Sequence, residues 1–349
     1  MSDATTPVDA DRLNAFCRSA LERLGVPSDQ AATIADSLVD ANLQGIDSHG
    51  IVRLPQYAGR IRGGGLRPTT ELVTIVDRPS VVVIDANDGF GQVAATAAMG
   101  RAIERAKDRG IAAAAVRRSN HVGVMGYYSR MAVEHGMIGF TVSGAAPGIA
   151  PWGGAEALLG SNPWSIAYPT RGEPLVVDIA NGVVIAGKLR AAEQRGETIP
   201  LGWALDQDGR PTQDPAAGLA GSLLPFGGAK GAGLTLAWEV LASVLTGASF
   251  SRDVPELTNP VVPQRLGHLF LAIRVEDFMP LDEFVERIDR LLAAIESSRP
   301  VAGGPTVRIP GRRGAWSRAE RHTSGVPLPA GLRATLASLG GELGIEPPW

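Results

Sequence analysis

Nine residues near the start of the chain, Gly45-Ile46-Asp47-Ser48-His49-Gly50-Ile51-Val52-Arg53, bring together an imidazole, a hydroxyl, a carboxylate and a guanidinium four residues after the histidine. These groups suit the reduction of a carbonyl or imine that stands next to a carboxylate. His49 would pass a proton with Ser48 and Asp47 beside it, and Arg53 would grip the substrate carboxylate through two parallel hydrogen bonds. The plain alternative is a helix cap at Asp47-Ser48 next to a surface histidine, because short motifs recur by chance.

Helices must position this stretch. Leu13, Phe16, Cys17, Ala20, Leu21 and Leu24 recur at helical spacing until Gly25 and Pro27 stop them, and Ser28 can cap a second helix carrying Ile34, Leu38 and Ala41 that ends near Gly45. The motif then lies just past a helix end, on a loop with rigid support. Gly63 to Gly65 and Pro68 break the chain, and a first domain is assigned to residues 1–72. From 73 to 299 the texture becomes α/β or α+β. Strands are expected at 72–76, 81–84, 111–116, 137–142, 165–168 and 175–179, with helices at 93–109, 126–135, 184–195, 231–246 and 281–298. Residues 300–349 are rich in Gly, Pro and Arg, close with a helix at 332–343, and are expected to return to the N-terminal helices.

With 349 residues, 44% hydrophobic and 20% charged, the chain can bury a sizeable core, and its net charge of -3 leaves no broad footprint for nucleic acid or an anionic membrane. The basic clusters Arg117-Arg118 and Arg308 to Arg313 suit a phosphate-bearing small molecule better than a polymer. The single cysteine, Cys17, excludes an internal disulfide and a thiolate cluster, and no histidine has a companion at metal-ligand spacing, so no metal site is expected. The polar, acidic start lacks an apolar segment behind it and no apolar run approaches ~18 residues. A cytoplasmic enzyme is the expectation.

Several glycine-rich pieces compete as backbone cradles for an anionic cofactor. Gly89-Phe90-Gly91-Gln92-Val93-Ala94 follows a strand and opens a helix, as a dinucleotide fingerprint does, yet four residues separate strand from glycine and the repeated βαβ rhythm is missing. His121-Val122-Gly123-Val124-Met125-Gly126 and Gly227-Gly228-Ala229-Lys230-Gly231 each precede a helix, where free N–H groups favour phosphate, and Gly160-Ser161-Asn162-Pro163 and Pro310-Gly311-Arg312-Arg313 add two more. Each alone is as well explained by a turn.

Taken together, these residues resemble the malate/lactate/ureidoglycolate dehydrogenase family, which also holds diketogulonate, sulfolactate and cyclic-imine carboxylate reductases. The matches run from the stretch Gly45 to Pro55 through Asp88 to Gln92, Asn120 to Tyr128, Gly160 to Pro163, Asp178-Ile179-Ala180, Gly187-Lys188, Leu224 to Gly228 with Lys230-Gly231, and Pro310-Gly311. The resemblance implies a non-Rossmann nicotinamide-binding domain with a largely antiparallel sheet and a helical domain built from both chain ends, working as a homodimer with the site near the subunit interface. It also implies roles: His49 as proton donor or acceptor assisted by Ser48, Arg53 on the substrate carboxylate, and Ser161 and Lys188 near the substrate. His121, Val122, Gly123, Val124, Met125, Asp178, Ile179, Ala180, Lys230, Gly231, Arg308, Arg312 and Arg313 would line the cofactor. Ser161 replaces the family's frequent threonine, Ala229 a histidine or proline, Ala232 a tyrosine or serine, and Arg312 an acidic residue. Lys188 agrees with the hydroxy-acid branch, which favours a 2-oxo acid substrate; the alternative is a cyclic imine such as piperideine- or pyrroline-2-carboxylate. The cations at Arg117, Arg118, Arg312 and Arg313 favour NADP, with NAD possible.

Overall fold

A computed structural model describes residues 5–349. In chain order they form β1 (Thr5–Val8), α1 (Ala10–Arg23), α2 (Ser28–Leu43), two short 3-10 turns (Asp47–His49 and Ile51–Arg53), α3 (Leu54–Gly63), β2 (Val73–Arg78), β3 (Val81–Asp85), α4 (Gly91–Arg109), β4 (Ile111–Ser119), α5 (Met125–Val133) and β5 (Met137–Ser143). There follow β6 (Pro147–Ile149), β7 (Leu159–Gly160), β8 (Trp164–Tyr168), β9 (Leu175–Ile179), α6 (Ala186–Arg195), β10 (Ala204–Leu205), β11 (Pro211–Thr212), α7 (Pro215–Ala220) and β12 (Ser222–Leu223). The chain closes with α8 (Ala229–Glu239) running into a π turn (Val240–Val244), then β13 (Leu266–Arg274), α9 (Leu281–Glu296), α10 (Arg312–Ser324), β14 (Val326–Pro329) and α11 (Ala330–Leu343).

Seven strands make the main sheet in the order β2-β3-β4-β13-β5-β8-β9. β3 and β4 run parallel across the α4 connection, and every other neighbouring pair is antiparallel. β13 lies in the middle, with Phe270 opposite Ala114 on one side and Thr141 on the other. Its sequence, LGHLFLAIR, is an unbroken apolar run apart from His268 and the closing Arg274, and no strand was expected there. A strand buried on both faces shows no alternation to read. Short strands form a second sheet, β11-β10-β12-β6-β7.

One apolar core joins α1 and α2 to the chain's other end: Leu13, Phe16, Leu21, Ile34 and Leu38 pack with Val326, Leu328, Leu336 and Leu339. β1 pairs with β14 in the register Val8 to Val326. Each such buried side chain contributes about 2 kcal/mol. A second core sets the alanine-rich face of α4 and Tyr128 of α5 against Val82, Ile84, Ala114, Val116 and Phe270 of the sheet. Alanine suits this layer because helix and sheet approach closely.

Two local differences from the sequence expectation have plain causes. The helix expected at 231–246 leaves α geometry after Glu239: Leu245 N–H bonds to Val240 O, five residues back, where Gly267 of β13 lies against the Ala242 carbonyl without room for a Cβ. The glycines at 89 and 91 are set by packing, since a Cβ would collide with Thr70 at the first and with the Asn120 and His121 carbonyls at the second.

Candidate active site

The loop after α2 returns on itself within nine residues. Gly45 adopts φ +73° beside Ser317, and Gly50 lies against the Asn42 side chain so tightly that a Cβ would overlap it. The loop then runs into α3 at Leu54. At its apex Ser48 Oγ sits 2.9 Å from His49 Nδ1, and the His49 ring stacks on His121, with centroids 5.5 Å apart. One turn beyond Arg53, the Tyr57 hydroxyl lies 2.9 Å from His121 Nδ1 and accepts from Gln92 Nε2 at 2.7 Å. Gly123 N–H also points at His121 Nδ1, at 3.3 Å.

Burial sets the charge state of this cluster. It pushes His49 down to about 4, with the Arg53 charge adding to the effect, and drives His121 well below its ordinary value, again with help from Arg53 and His49. Both rings are therefore neutral near pH 7. Tyr57 is pushed up to about 12 by burial, so its hydroxyl keeps its proton. Arg53 is itself lowered, first by burial, with the Arg190 charge in the same direction. One Arg53 terminal nitrogen donates to Gln56 Oε1 at 2.8 Å, and among the described residues nothing accepts from its buried Nε. A half-buried guanidinium with a buried, unmatched N–H is a socket for an anion.

A cavity of about 380 Å³ opens beside the same loop. Gln44 and Ile46 line it on one side, β9 from Val176 to Ile179 on another, and Arg130, Arg308, Gly311 and Arg313 on the rest. Asp178 accepts from Gly126 N–H at the start of α5 at 2.6 Å, and burial raises its carboxyl to about 6 although that bond and Arg130 pull it down. The N–H at that helix start thus meets a protein carboxylate.

Residues 8–337 match the family model described as Malate/L-lactate dehydrogenase. The chain belongs to that family. A sulfolactate dehydrogenase from Methanocaldococcus jannaschii superposes with a TM-score of 0.93 at 37% identity, covering 98% of each chain. A malate dehydrogenase from Pyrococcus abyssi is 37% identical over 97% of this chain and 95% of its own. A (2R)-3-sulfolactate dehydrogenase (NADP(+)) from Chromohalobacter salexigens is 38% identical over 88% and 90%. This malate/L-lactate dehydrogenase relative is accordingly an NAD(P)-dependent oxidoreductase.

Within that frame the structure gathers some expected residues and separates others. His49, Ser48, Arg53 and His121 converge, while Asp178, Ile179, Arg308 and Arg313 meet at the cavity. Asp47, expected to assist His49, turns away: Asn42 Nδ2 donates to it at 2.7 Å and Arg321 holds both its oxygens at 2.7 and 3.1 Å. Val122, Val124 and Met125 are buried and present no side chain at the surface. Arg312 and Arg313 open α10 instead of lying in a loop, and Arg312 faces Glu296 at 3.7 Å. Arg117 and Arg118, offered for a 2'-phosphate, pair with Asp85 and Asp88 and are spent there. Lys188 is exposed with its ammonium 6.0 Å over Trp203, Lys230 is exposed and Ala180 is half-buried. Gly231 is required by packing on the Phe226 carbonyl. Ser161 is held by its backbone, whose carbonyl accepts from Asn181, while buried Glu239 ties down Gly160 and Asn162. Tyr57, Arg190 and Glu239 were not singled out from the sequence, and Gln92 was named there without a role of its own. Tyr57 had a signal, four residues after Arg53 on one helix face.

Proposed function

We propose that this oxidoreductase interconverts a small 2-oxo acid and its 2-hydroxy acid, with NADP preferred to NAD. The observation that carries the reading is Arg53, a half-buried guanidinium with a buried, unmatched Nε whose charge acts on both imidazoles of the pocket. A carboxylate gripped there presents the adjacent C2 oxygen to His49. The Arg190 charge next to Arg53 favours an acid with a second anionic group, as malate and sulfolactate have.

The site fits the cofactor: its cavity is within the size range of ligand pockets, and Arg308 and Arg313 supply cations for phosphate. When bound, the nicotinamide supplies or accepts hydride at C2. The chain does the rest. In the oxidation direction neutral His49, its Nδ1–H donating to Ser48 Oγ, takes the hydroxyl proton at Nε2. In reduction it returns that proton, and the bound carboxylate offsets the Arg53 charge that otherwise discourages protonation. With Tyr57 O–H and Gly123 N–H both directed at Nδ1, His121 carries its proton on Nε2 and offers it to the pocket as a fixed donor.

We read residues 1–72 with 300–349 as a helical unit and 73–299 as the nicotinamide-binding unit, supported by their separate cores. Homodimer formation is supported by half-covered apolar surface: Val83, Ala113, Leu271 and Ile166 on the sheet face away from α4, and exposed Leu236, Val240 and Val244 beside it. Loss of nicotinamide absorbance with NADPH and with NADH, across pyruvate, oxaloacetate, sulfopyruvate and the two cyclic imines, tests the reading. Oxaloacetate or sulfopyruvate is expected to lead with NADPH; turnover confined to the imines overturns it.

A further inference from the structure

We infer that Asn42 and Arg321 form a clasp that positions His49, so that α10 acts on catalysis from outside the reacting atoms. The inference rests on the proton-transfer role given to His49 above.

Asn42 lies in the last turn of α2, fully buried. Its Nδ2 donates to Asp47 Oδ1 and its Oδ1 accepts from Ile51 N–H, each at 2.7 Å. One side chain thus ties both ends of the arc that carries Ser48 and His49. The amide cannot turn over without setting donor against donor and acceptor against acceptor. Gly50, pressed on the same amide, leaves the arc no slack.

Arg321 completes the tie from the opposite end of the chain. It donates to the Asn42 carbonyl and to both Asp47 oxygens. Asp47 is about half exposed, so this ion pair contributes little stability, and what it supplies is direction. The rest of the α10 face agrees. Gly314, Ser317, Arg318 and Arg321, at spacings of three and four, all rest on the end of α2: Gly314 near Gln44, Ser317 Oγ on the Leu43 carbonyl at 3.0 Å, and Arg318 on Asp40. α10 begins at the cavity rim with Arg313 and reaches the catalytic loop two turns later. Asp47 is the handle by which that helix holds the loop, which accounts for its bonds to Asn42 and Arg321.

Asn42→Asp keeps the acceptor for Ile51 N–H and sets a carboxylate against Asp47. Its kcat is expected to fall roughly 100-fold, with NADPH affinity by fluorescence within about twofold of wild type. The His49 titration followed by NMR should rise from about 4 toward its ordinary value as the loop opens to water, a readout that needs no turnover. Asn42→Asp with Asp47→Asn rebuilds the bond with its direction reversed and should recover at least about tenfold of the lost kcat. Arg321→Ala, less central to the core, should repeat the kcat loss and the titration shift if the Asn42 variants fail to fold, and Arg321→Lys should recover part of both. A folded Asn42→Asp or Arg321→Ala enzyme with wild-type kcat and His49 titration overturns the clasp, as does a folded double variant no better than the single one. If wild type reduces no 2-oxo acid, the functional reading fails, while the His49 titration still decides the clasp.

Discussion

His49 and His121 lie face to face, 5.5 Å apart at their centroids and 25° from parallel, next to a guanidinium that makes a positive charge on either ring unfavourable. Burial and then the Arg53 charge keep both rings neutral, so on the proposed reading the resting site would hold a base, ready for an alcohol, and an anion beside Arg53 would ease its protonation.

A pH profile follows with a definite sign. Because free His49 titrates at about 4, kcat/KM for oxidation of the 2-hydroxy acid should be level from about pH 5 upward and fall about tenfold per unit below 4, where the base is protonated. The reductive kcat/KM should decline as pH rises above that value. Initial rates in both directions between pH 3 and 9 check this, and a reductive profile level to pH 8 would exclude His49 as the acid of the free enzyme.

Replacing Arg53 by lysine leaves the charge and removes the fork. KM for the oxo acid should rise by roughly 10- to 100-fold, with a smaller change in kcat, because the two-pronged grip on the carboxylate is largely made before the transition state. Steady-state kinetics at saturating cofactor measure it, and an unchanged KM would assign the carboxylate to another cation, Arg190 first.

Much of the candidate site's outline was legible in the sequence, because several of its side chains lie a few residues apart. His49, Ser48 and Arg53 fall within one turn-rich loop, and their convergence needs only a helix end to support it. Asp47 misled for the same reason: proximity in sequence says nothing of which way a carboxylate turns, and its partner Arg321 comes from the far end of the chain. α10 escaped notice because it opens with Arg-Arg-Gly and has few apolar residues, its packing on α2 being made by small and charged side chains. β13 escaped because a strand buried on both faces lacks period two, and the π turn because its cause, Gly267, belongs to another element. The pairing of Arg117 and Arg118 with Asp85 and Asp88 was equally out of reach, since the partners lie on a neighbouring strand and the loop after it.

Those spent arginines narrow the cofactor question to Arg308 and Arg313. Arg313→Ala should raise KM for NADPH about tenfold and leave NADH nearly unchanged, since the guanidinium removed is one that would meet the 2'-phosphate. Arg312→Ala should do less, its guanidinium being turned to Glu296. Equal effects on both cofactors would move the 2'-phosphate away from this rim.

Acid should destabilise the protein through its buried histidines. His268, fully enclosed and bonded to Ser143, is pushed down by burial to about 3, so it contributes stability above the ordinary histidine value that is lost as pH falls toward 3, at roughly 1.4 kcal/mol per pH unit. His49 and His121 act in the same sense, and Asp178, raised to about 6, opposes them by holding a proton the unfolded chain has shed. Urea midpoints should drop between pH 7 and pH 5 in wild type and drop less in His268→Gln. Identical drops would show that His268 already carries its proton in the folded state.

The most direct test of the account is a single turnover of His49→Gln with saturating NADPH and oxo acid, read at the nicotinamide band against wild type. If His49 carries the proton, hydride transfer should slow by roughly 100-fold or more while NADPH binds as before. A rate within a few fold of wild type would take His49 out of the chemistry and with it the central claim.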